Sequence, residues 1–128
     1  MTDPSDAMPL ARLLGVRIEE ADDRRVVGTL TVRPELCTTG DQIHGGTLMA
    51  FADCLGAIGA FLALPSGAAG TTTIESKTNF TGRAPAGAEL TGTCTPVSVG
   101  KRLSIWQTRI TRDDERLVAL VTQTQLVL

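Results

Sequence analysis

The sequence has little that could bind nucleic acid. Its 128 residues include no tyrosine, one tryptophan, three phenylalanines and one histidine. Twelve Lys and Arg residues against fourteen Asp and Glu give a net charge of −2, so no general positive field attracts a polyanion. With few rings to stack on bases, a nucleic-acid partner is not expected.

Motifs for common cofactors are also missing. No CxxC pair, HExxH, GxGxxG, GxxxxGK[ST] or GxSxG string occurs, which excludes the usual zinc, nucleotide and α/β-hydrolase patterns. Cys37, Cys54 and Cys94 are odd in number and far apart, and no basic segment followed by an apolar one opens the chain. We therefore expect no metal, no cofactor and a reducing cytoplasmic compartment.

Length and composition predict a single domain over residues 1–128, with a loose tail over residues 1–7. Hydrophobic residues make up 42% and charged residues 20%, which favours a packed core over disorder. Leucine spacing over residues 8–14 predicts a short helix ended by Gly15. Residues 16–21 and 26–32 then read as a strand hairpin.

The most apolar segment, IHGGTLMAFADCLGAIGAFLAL, covers residues 43–64 and predicts a long helix. A helix that is apolar on every face is a membrane span or the buried centre of an assembly. Asp53 lies in its middle, where a lone carboxylate is costly in lipid, and no Lys or Arg flanks it closely. A membrane span is therefore disfavoured.

Four strands are predicted after this helix, at residues 71–81, 88–99, 101–111 and 115–128. Their alternation indicates an antiparallel sheet with one covered face. One sheet covers only one side of the long helix, and its other apolar faces would form a large exposed patch. We therefore expect an obligate oligomer.

Asp53 is the first candidate for chemistry. No Lys or Arg occurs between Arg33 and Lys77, so this carboxylate has no nearby basic residue in sequence to pair with. A buried carboxylate without a cation is costly and persists where it has a role. The alternative is that Asp53 faces a polar gap or caps a neighbouring loop.

The only histidine, His44, precedes Gly45 and Gly46 at the start of the helix. A lone histidine there is more often a structural hydrogen-bonding residue than a catalyst. Glycines without a Cβ let a ligand approach the backbone, and free N–H groups at a helix start form an anion or oxyanion site. A tight turn is the alternative explanation for the glycines.

Gly45 and Asp53 are eight residues apart, or about 12 Å along a helix that rises about 1.5 Å per residue. They cannot act on one carbonyl carbon within a single chain. If two helices lie antiparallel across a two-fold axis, Gly45 of one subunit approaches Asp53 of the other. Such a pair suits acyl chemistry, because the amide polarises a carbonyl while the carboxylate attacks it or deprotonates water.

These features together resemble the hotdog-fold acyl-CoA thioesterases of the PaaI and 4-hydroxybenzoyl-CoA type. The similarity spans residues 10–128 and rests on HGG at 44–46, the acid nine positions after the histidine, the apolar helix and TTTIESKTNF at 71–80. It implies an α+β hotdog fold, in which about six antiparallel strands wrap a long central helix. It also implies a cytoplasmic dimer or dimer of dimers (a homotetramer) that hydrolyses a medium-chain or aromatic acyl-CoA, with CoA as part of the substrate.

The resemblance implies a role for each candidate catalytic residue. His44 would orient the thioester, the Gly45 amide would polarise its carbonyl, and Asp53 of the facing subunit would be general base or nucleophile. Thr73 stands where relatives often place a Ser or Thr that holds the attacking water. Thr38 departs from the usual Asn or Gln six residues before the histidine, and its hydroxyl has a shorter reach.

Four further residues are implied in substrate binding. Gly46 would let the substrate approach the helix start, and Asn79 matches a position that lines the acyl pocket in some relatives. Lys101 and Arg102 are candidates for the CoA phosphates, although solvated surface charge explains them equally well. Cys54, beside Asp53, is predicted to be a small core residue and not a nucleophile.

Two other functions stay open from the sequence. A hydratase or dehydratase on the same fold would use a histidine and a carboxylate as an acid–base pair, whereas the one histidine here sits where the thioesterase pattern places it. A non-catalytic sensor would bind acyl-CoA without turnover. Release of free thiol, a change in enoyl absorbance, or neither would separate the three.

Overall fold

The computed structural model describes residues 3–128 and shows one long helix packed against a six-stranded antiparallel sheet. The sheet order is β1-β2-β4-β5-β6-β3, which places β3 at one edge and next to β6. The predicted α+β architecture is confirmed. The helices are α1 (Pro9–Leu14) and α2 (Gly45–Leu62), and the strands are β1 (Arg17–Ala21), β2 (Val26–Thr31), β3 (Thr71–Phe80), β4 (Glu89–Val99), β5 (Leu103–Arg112) and β6 (Leu117–Val127).

The start of the chain differs from the loose tail predicted for residues 1–7. Pro4–Ala7 forms a 3-10 helix, in which Ser5 is buried. The Asp3 carboxylate accepts hydrogen bonds from the backbone N–H groups of Ser5 (2.8 Å) and Ile18 (2.9 Å), which ties this turn to β1. The prediction of a loose tail missed this cap. The first two residues of the predicted tail, Met1 and Thr2, lie outside the described residues.

Helix α2 begins two residues later and ends two residues earlier than the apolar segment from which it was predicted. Ile43 is extended, and its N–H donates to the carbonyl of Ala84. On the sheet side of the helix, a Cβ at Gly59 would lie 2.7 Å from the Trp106 ring. Glycine at position 59 therefore allows the helix to pack closely on the Trp106 ring.

One side of α2 is only partly covered by the rest of the chain. We call this row the α2 stripe: Gly46, Ala50, Asp53, Ala57 and Phe61. Phe61 is 60% exposed and the neighbouring Leu62 45%. By length and composition α2 could cross a membrane, but half of it is buried within this fold, as is usual for a core helix.

Two strands present an unusual set of side chains to the helix. On β6 the buried alternation runs through Ala119 and Val121 to Gln123 and Gln125. On β3 a register shift between Thr73 and Glu75 interrupts the pairing with β6. The bulge changes which residues face inward, because one extra residue reverses the alternation of side chains.

Candidate active site

Asp53 is held by side chains from two neighbouring strands. Its Oδ1 accepts a hydrogen bond from Thr73 Oγ1 at 2.6 Å and another from Gln123 Nε2 at 3.0 Å. Within residues 3–128 no hydrogen bond reaches Oδ2. The carboxylate is therefore fixed through one oxygen, and the other is free on the partly covered side of the helix.

A second layer of hydrogen bonds fixes Thr73. Gln125 Nε2 donates to Thr73 Oγ1 at 2.6 Å, and Thr71 Oγ1 lies 3.1 Å from Gln125 Oε1 and donates to it. Because Thr73 Oγ1 already accepts from Gln125, its own proton is directed to Asp53. The strands bring these groups together, since Thr73 is the register partner of Gln125 in the β3–β6 pair.

Sequence reasoning singled out Asp53 and Thr73 but missed both glutamines. Gln123 and Gln125 are fully buried, at 0% exposure. A signal was available in the sequence, because they continue the inward-facing positions of Ala119 and Val121 on the last strand. Amides at positions where alternation predicts apolar side chains indicate a polar network.

Helix α2 makes room for one of these glutamines. A Cβ at Gly56 would lie 2.2 Å from Gln123 Oε1 and 2.5 Å from Gln123 Nε2. Gln123 Oε1 itself is buried and has no hydrogen-bond partner among the described residues. The carboxamide thus lies flat against the helix backbone, with its Nε2 end toward Asp53.

His44 caps the start of α2. Its Nδ1 accepts a hydrogen bond from the Gly46 N–H at 2.8 Å, so the proton of the neutral ring is on Nε2. This is the structural hydrogen bond that the sequence offered as an alternative to catalysis, and it leaves the exposed Nε2 free to donate. Gly45 N–H has no hydrogen-bond acceptor in the described part of the chain.

An aromatic ring covers Gly45. A Cβ there would lie 3.0 Å from Cε1 of Phe80, the last residue of β3. Gly45 and Asp53 lie on one continuous helix, eight residues apart, and a single chain does not bring them together. The two groups expected to act on one carbonyl are thus about 12 Å apart within the chain.

Thr38 lies in the exposed loop before α2. Its backbone N–H donates to the Gln42 carbonyl at 2.8 Å, while its hydroxyl makes no hydrogen bond within residues 3–128. Gly40 (φ 78°) and Asp41 (φ 56°) are both left-handed at the tip of this loop. Within one chain, Thr38 forms no hydrogen bond to Asp53 or its partners.

The remaining predicted binding residues are exposed. Asn79 accepts a hydrogen bond from Lys77 Nζ at 2.8 Å, and the bulge in β3 places it on the outer face, opposite to Thr73. Lys101 and Arg102 lie in the β4–β5 turn, where the Arg102 carbonyl accepts from the Val127 N–H.

That turn is remote from the start of α2 in the same chain. Phe80, which covers Gly45, pairs with Ala119 on β6. Leu103, which directly follows the turn, pairs with Leu126 on the same strand. Seven residues of strand separate the two ends, or about 23 Å at about 3.3 Å per residue. The sequence-predicted phosphate contacts and oxyanion donor therefore lie at opposite ends of the sheet.

An apolar cavity of about 540 Å³ opens beside the C-terminal half of α2. It starts at Ala57, one helical turn after Asp53, and it also borders Thr71, whose hydroxyl bonds Gln125. The residues that enclose it come from three segments: Pro4, Ala7 and Met8 from the chain start, Ala57 and Phe61 from α2, and Thr71 from β3.

Cys54, next to Asp53, is buried, in agreement with the predicted core role. Burial, and then the negative charge of Asp53, raise the pKa of its thiol to about 11. The thiol is therefore protonated at neutral pH and is a poor nucleophile. Among residues 3–128 no three His, Cys, Asp or Glu side chains are grouped as a metal site would require.

The known proteins that this chain resembles are esterases and thioesterases by name. The sequence model of the thioesterase superfamily matches residues 40–119. A Mycobacterium tuberculosis protein named as a candidate esterase is 29% identical over 114 residues, which are 88% of this chain and 81% of that protein. The 1,4-dihydroxy-2-naphthoyl-CoA thioesterase 2 of Arabidopsis thaliana is 30% identical over 99 residues, 77% of this chain and 62% of its own.

Solved structures show the same fold. The structure of the M. tuberculosis protein superimposes with a TM-score of 0.90 at 26% identity, over 94% of this chain and 97% of that one. The E. coli PaaI protein from the phenylacetic acid degradation operon superimposes with a TM-score of 0.86 at 22% identity, over 96% and 86% of the two chains.

Proposed function

Because this chain belongs to the thioesterase superfamily, with the hotdog fold, and is a thioester hydrolase, we propose that it hydrolyses an acyl-CoA to free acid and CoA. The observation that carries the proposal is the hydrogen bonding of the Asp53 carboxylate. Thr73 and Gln123 hold its Oδ1, and Oδ2 has no hydrogen-bond partner within residues 3–128. A carboxylate held in this way is suited to attack a carbonyl or to deprotonate water.

Two relatives support CoA as the leaving group. The A. thaliana relative is named for a CoA thioester, and a hypothetical thioesterase of Streptococcus pneumoniae with this fold was solved with coenzyme A, at 24% identity and a TM-score of 0.81. We assign Lys101 and Arg102 as candidates for the CoA phosphates, since both are exposed and form no ion pair within residues 3–128.

The site is completed by a second subunit. The α2 stripe carries the small residues Gly46, Ala50 and Ala57, which let two helices approach closely. If two α2 helices run antiparallel, the free N–H of Gly45 in one subunit reaches Asp53 of the other, and each dimer has two sites. The unpaired edge of β3 is a second surface for association, and pairs of dimers would give the tetramer.

Each residue then has a chemical role. The Gly45 N–H donates to the thioester oxygen and stabilises the negative charge that develops there. His44 Nε2–H, set by the Nδ1 cap, donates toward the same end of the thioester, and Gly46 leaves room for it. Asp53 Oδ2 either attacks the carbonyl carbon and expels the CoA thiolate, leaving a mixed anhydride that water then hydrolyses to the free acid, or takes a proton from the water that attacks as the CoA thiolate leaves.

The apolar cavity supports a medium-chain or aromatic acyl group. Its volume of about 540 Å³ falls in the usual range of small-molecule sites, about 300–1,000 Å³. It begins one turn from Asp53, so an acyl chain whose carbonyl lies at Oδ2 can extend into it. Thr38 of the facing subunit would then border the carbonyl with its free hydroxyl. Asn79 is a weaker candidate for this pocket, because it lies on the outer face of β3.

The test is thiol release from a panel of short, medium, long and aromatic acyl-CoAs. Asp53→Asn is compared with wild type at equal concentration of folded oligomer, with Asp113→Asn in the exposed β5–β6 turn as the matched control. We expect the control to keep full activity and Asp53→Asn to lose on the order of a hundredfold or more in kcat. An Asp53→Asn enzyme within tenfold of wild type would overturn the role of this carboxylate.

A further inference from the structure

We propose that Gln123 and Gln125 are positioning residues, which hold Asp53 by Oδ1 so that Oδ2 is the only oxygen presented to the thioester. The inference rests on the proposed catalytic role of Asp53. The two glutamines act in different ways: Gln123 donates directly to Asp53, while Gln125 acts through the hydroxyl of Thr73.

The surroundings of Gln123 are unfavourable for stability alone. Its Oε1 is buried without a partner, and a buried unpaired polar atom opposes folding. Its carboxamide fits only because position 56, in the interior of α2, is glycine, the least favourable helix residue after proline. A valine at 123, which has no atom at the Cδ position, and an alanine at 56 would remove both penalties. The one contact that explains a glutamine at 123 together with a glycine at 56 is the hydrogen bond from Gln123 Nε2 to Asp53.

The orientation of Gln125 is also determined. Asp53 Oδ1 accepts from Thr73, so the single Thr73 proton points to Asp53 and the Thr73 oxygen accepts from Gln125 Nε2. Gln125 Oε1 lies 3.1 Å from the Thr71 hydroxyl, which is equally far from the Leu126 carbonyl. Gln125 and Thr73 thus form a chain of hydrogen bonds that ends at Oδ1.

The consequence is that Asp53 cannot rotate freely about its terminal bond. Two donors converge on Oδ1, and turning the carboxylate out of this orientation would break both hydrogen bonds. A reacting group held in one orientation gains rate because little motion has to be lost in the transition state. Loss of either glutamine should therefore lower kcat more than it raises KM.

The experiment compares Gln123→Met and Gln125→Met with Gln107→Met. Gln107 is a matched control, because it lies on β5 and donates to a threonine hydroxyl, Thr122, away from Asp53. We expect kcat for acyl-CoA to fall about 10- to 100-fold in the first two variants, with KM changed less than about threefold. Gln107→Met should keep its kcat. Gln123→Asn, which is shorter and cannot overpack, repeats the test if methionine prevents folding.

A double-variant cycle separates positioning from a structural role. Gln123→Met is combined with Asp53→Asn, and the residual rate is compared with that of Asp53→Asn alone. No further loss supports positioning, while a further loss of tenfold or more shows a structural defect and overturns the inference. A wild-type kcat in Gln123→Met and Gln125→Met also overturns the inference about the glutamines, but it does not affect the proposed role of Asp53. An active Asp53→Asn would instead defeat the proposed function itself.

Discussion

Gly56 of the central helix lies directly against the side-chain amide of Gln123 on β6, with no space for even a methyl group between them. This contact sets the distance between helix and sheet at the level of Asp53. It also fixes the amide that donates to the Asp53 carboxylate. The residue that supports the site on the helix side is therefore one with no side chain.

Replacing Gly56 with alanine should disturb the site without removing any polar group. A Cβ within 2.2–2.5 Å of the amide must push Gln123 aside. Overpacking costs about 1–3 kcal/mol, against about 1 kcal/mol gained from alanine's helix propensity. We expect Gly56→Ala to unfold at lower urea concentration and to lose about tenfold in kcat.

The double variant Gly56→Ala with Gln123→Asn is the control. The shorter amide makes room for the new methyl, so most of the lost stability should return while kcat stays low. A Gly56→Ala enzyme with wild-type kcat would show that the position of Gln123 does not matter to the reaction.

Thr73→Val tests the hydroxyl that donates to Asp53. Valine has nearly the same shape but cannot accept from Gln125 or donate to Asp53. Leaving the buried Gln125 amide without an acceptor should cost about 1–3 kcal/mol of unfolding free energy. We expect kcat to fall about 10- to 100-fold, with Thr73→Ser restoring most of it.

The neighbouring Thr72→Val provides the comparison, because Thr72 is exposed on the other face of β3. It should keep both stability and kcat. Equal loss in the two variants would mean that the strand, and not the hydroxyl of Thr73, is responsible.

The fold was largely predictable from the sequence because its signals are local. The apolar run marks α2 to within two residues at each end, and strand alternation marks β3 to β6. Asp53 was recognisable as a charge in an apolar segment. Thr73 was indicated only by the family resemblance and Gln123 not at all, because both contacts with Asp53 depend on the register of β3 against β6 and on the bulge in β3. The 3-10 helix at Pro4–Ala7 is capped locally by Asp3, but its attachment to β1 depends on the contact from Asp3 to Ile18, which is non-local.

The cavity beside α2 should set the length of acyl chain that is accepted. Ala7→Leu would fill it from the chain-start side, away from the α2 stripe. We expect kcat/KM for medium-chain and aromatic acyl-CoAs to fall at least about tenfold, and the value for a short acyl-CoA to change little. Met8→Ala enlarges the same wall and should move the preference toward longer chains. An unchanged preference in both variants would place the acyl group elsewhere.

The buried thiol of Cys54, beside Asp53, should be inert. The pKa of Cys54 is raised to about 11, so the thiol is almost entirely protonated at neutral pH. The rate of Cys54 alkylation should rise only as the pH of the solution approaches this pKa. Treatment with N-ethylmaleimide at pH 7.5, followed by mass spectrometry, should modify the half-buried Cys37 before Cys54. Activity should survive, and Cys54→Ala should keep its kcat. Inactivation in step with Cys54 modification of the folded protein would contradict this.

Subunit mixing tests whether the site is shared between two chains. Gly45→Pro removes the proposed oxyanion N–H, and proline is well tolerated at the first position of a helix. Asp53→Asn removes the carboxylate, so each variant alone should be nearly inactive. If Gly45 of one subunit serves Asp53 of the other, a mixed dimer of the two variants has one doubly defective site and one intact site.

Equal amounts of the two variants, unfolded together and refolded, should therefore recover about a quarter of wild-type activity, since half of the dimers are mixed and each of these has one intact site of two. Gly45→Ala controls for crowding, because its Cβ meets the Phe80 ring at 3.0 Å while the N–H is kept. It should retain far more activity than Gly45→Pro. If each site instead used Gly45 and Asp53 of the same chain, every site in the mixture would carry one defect, and no activity would return.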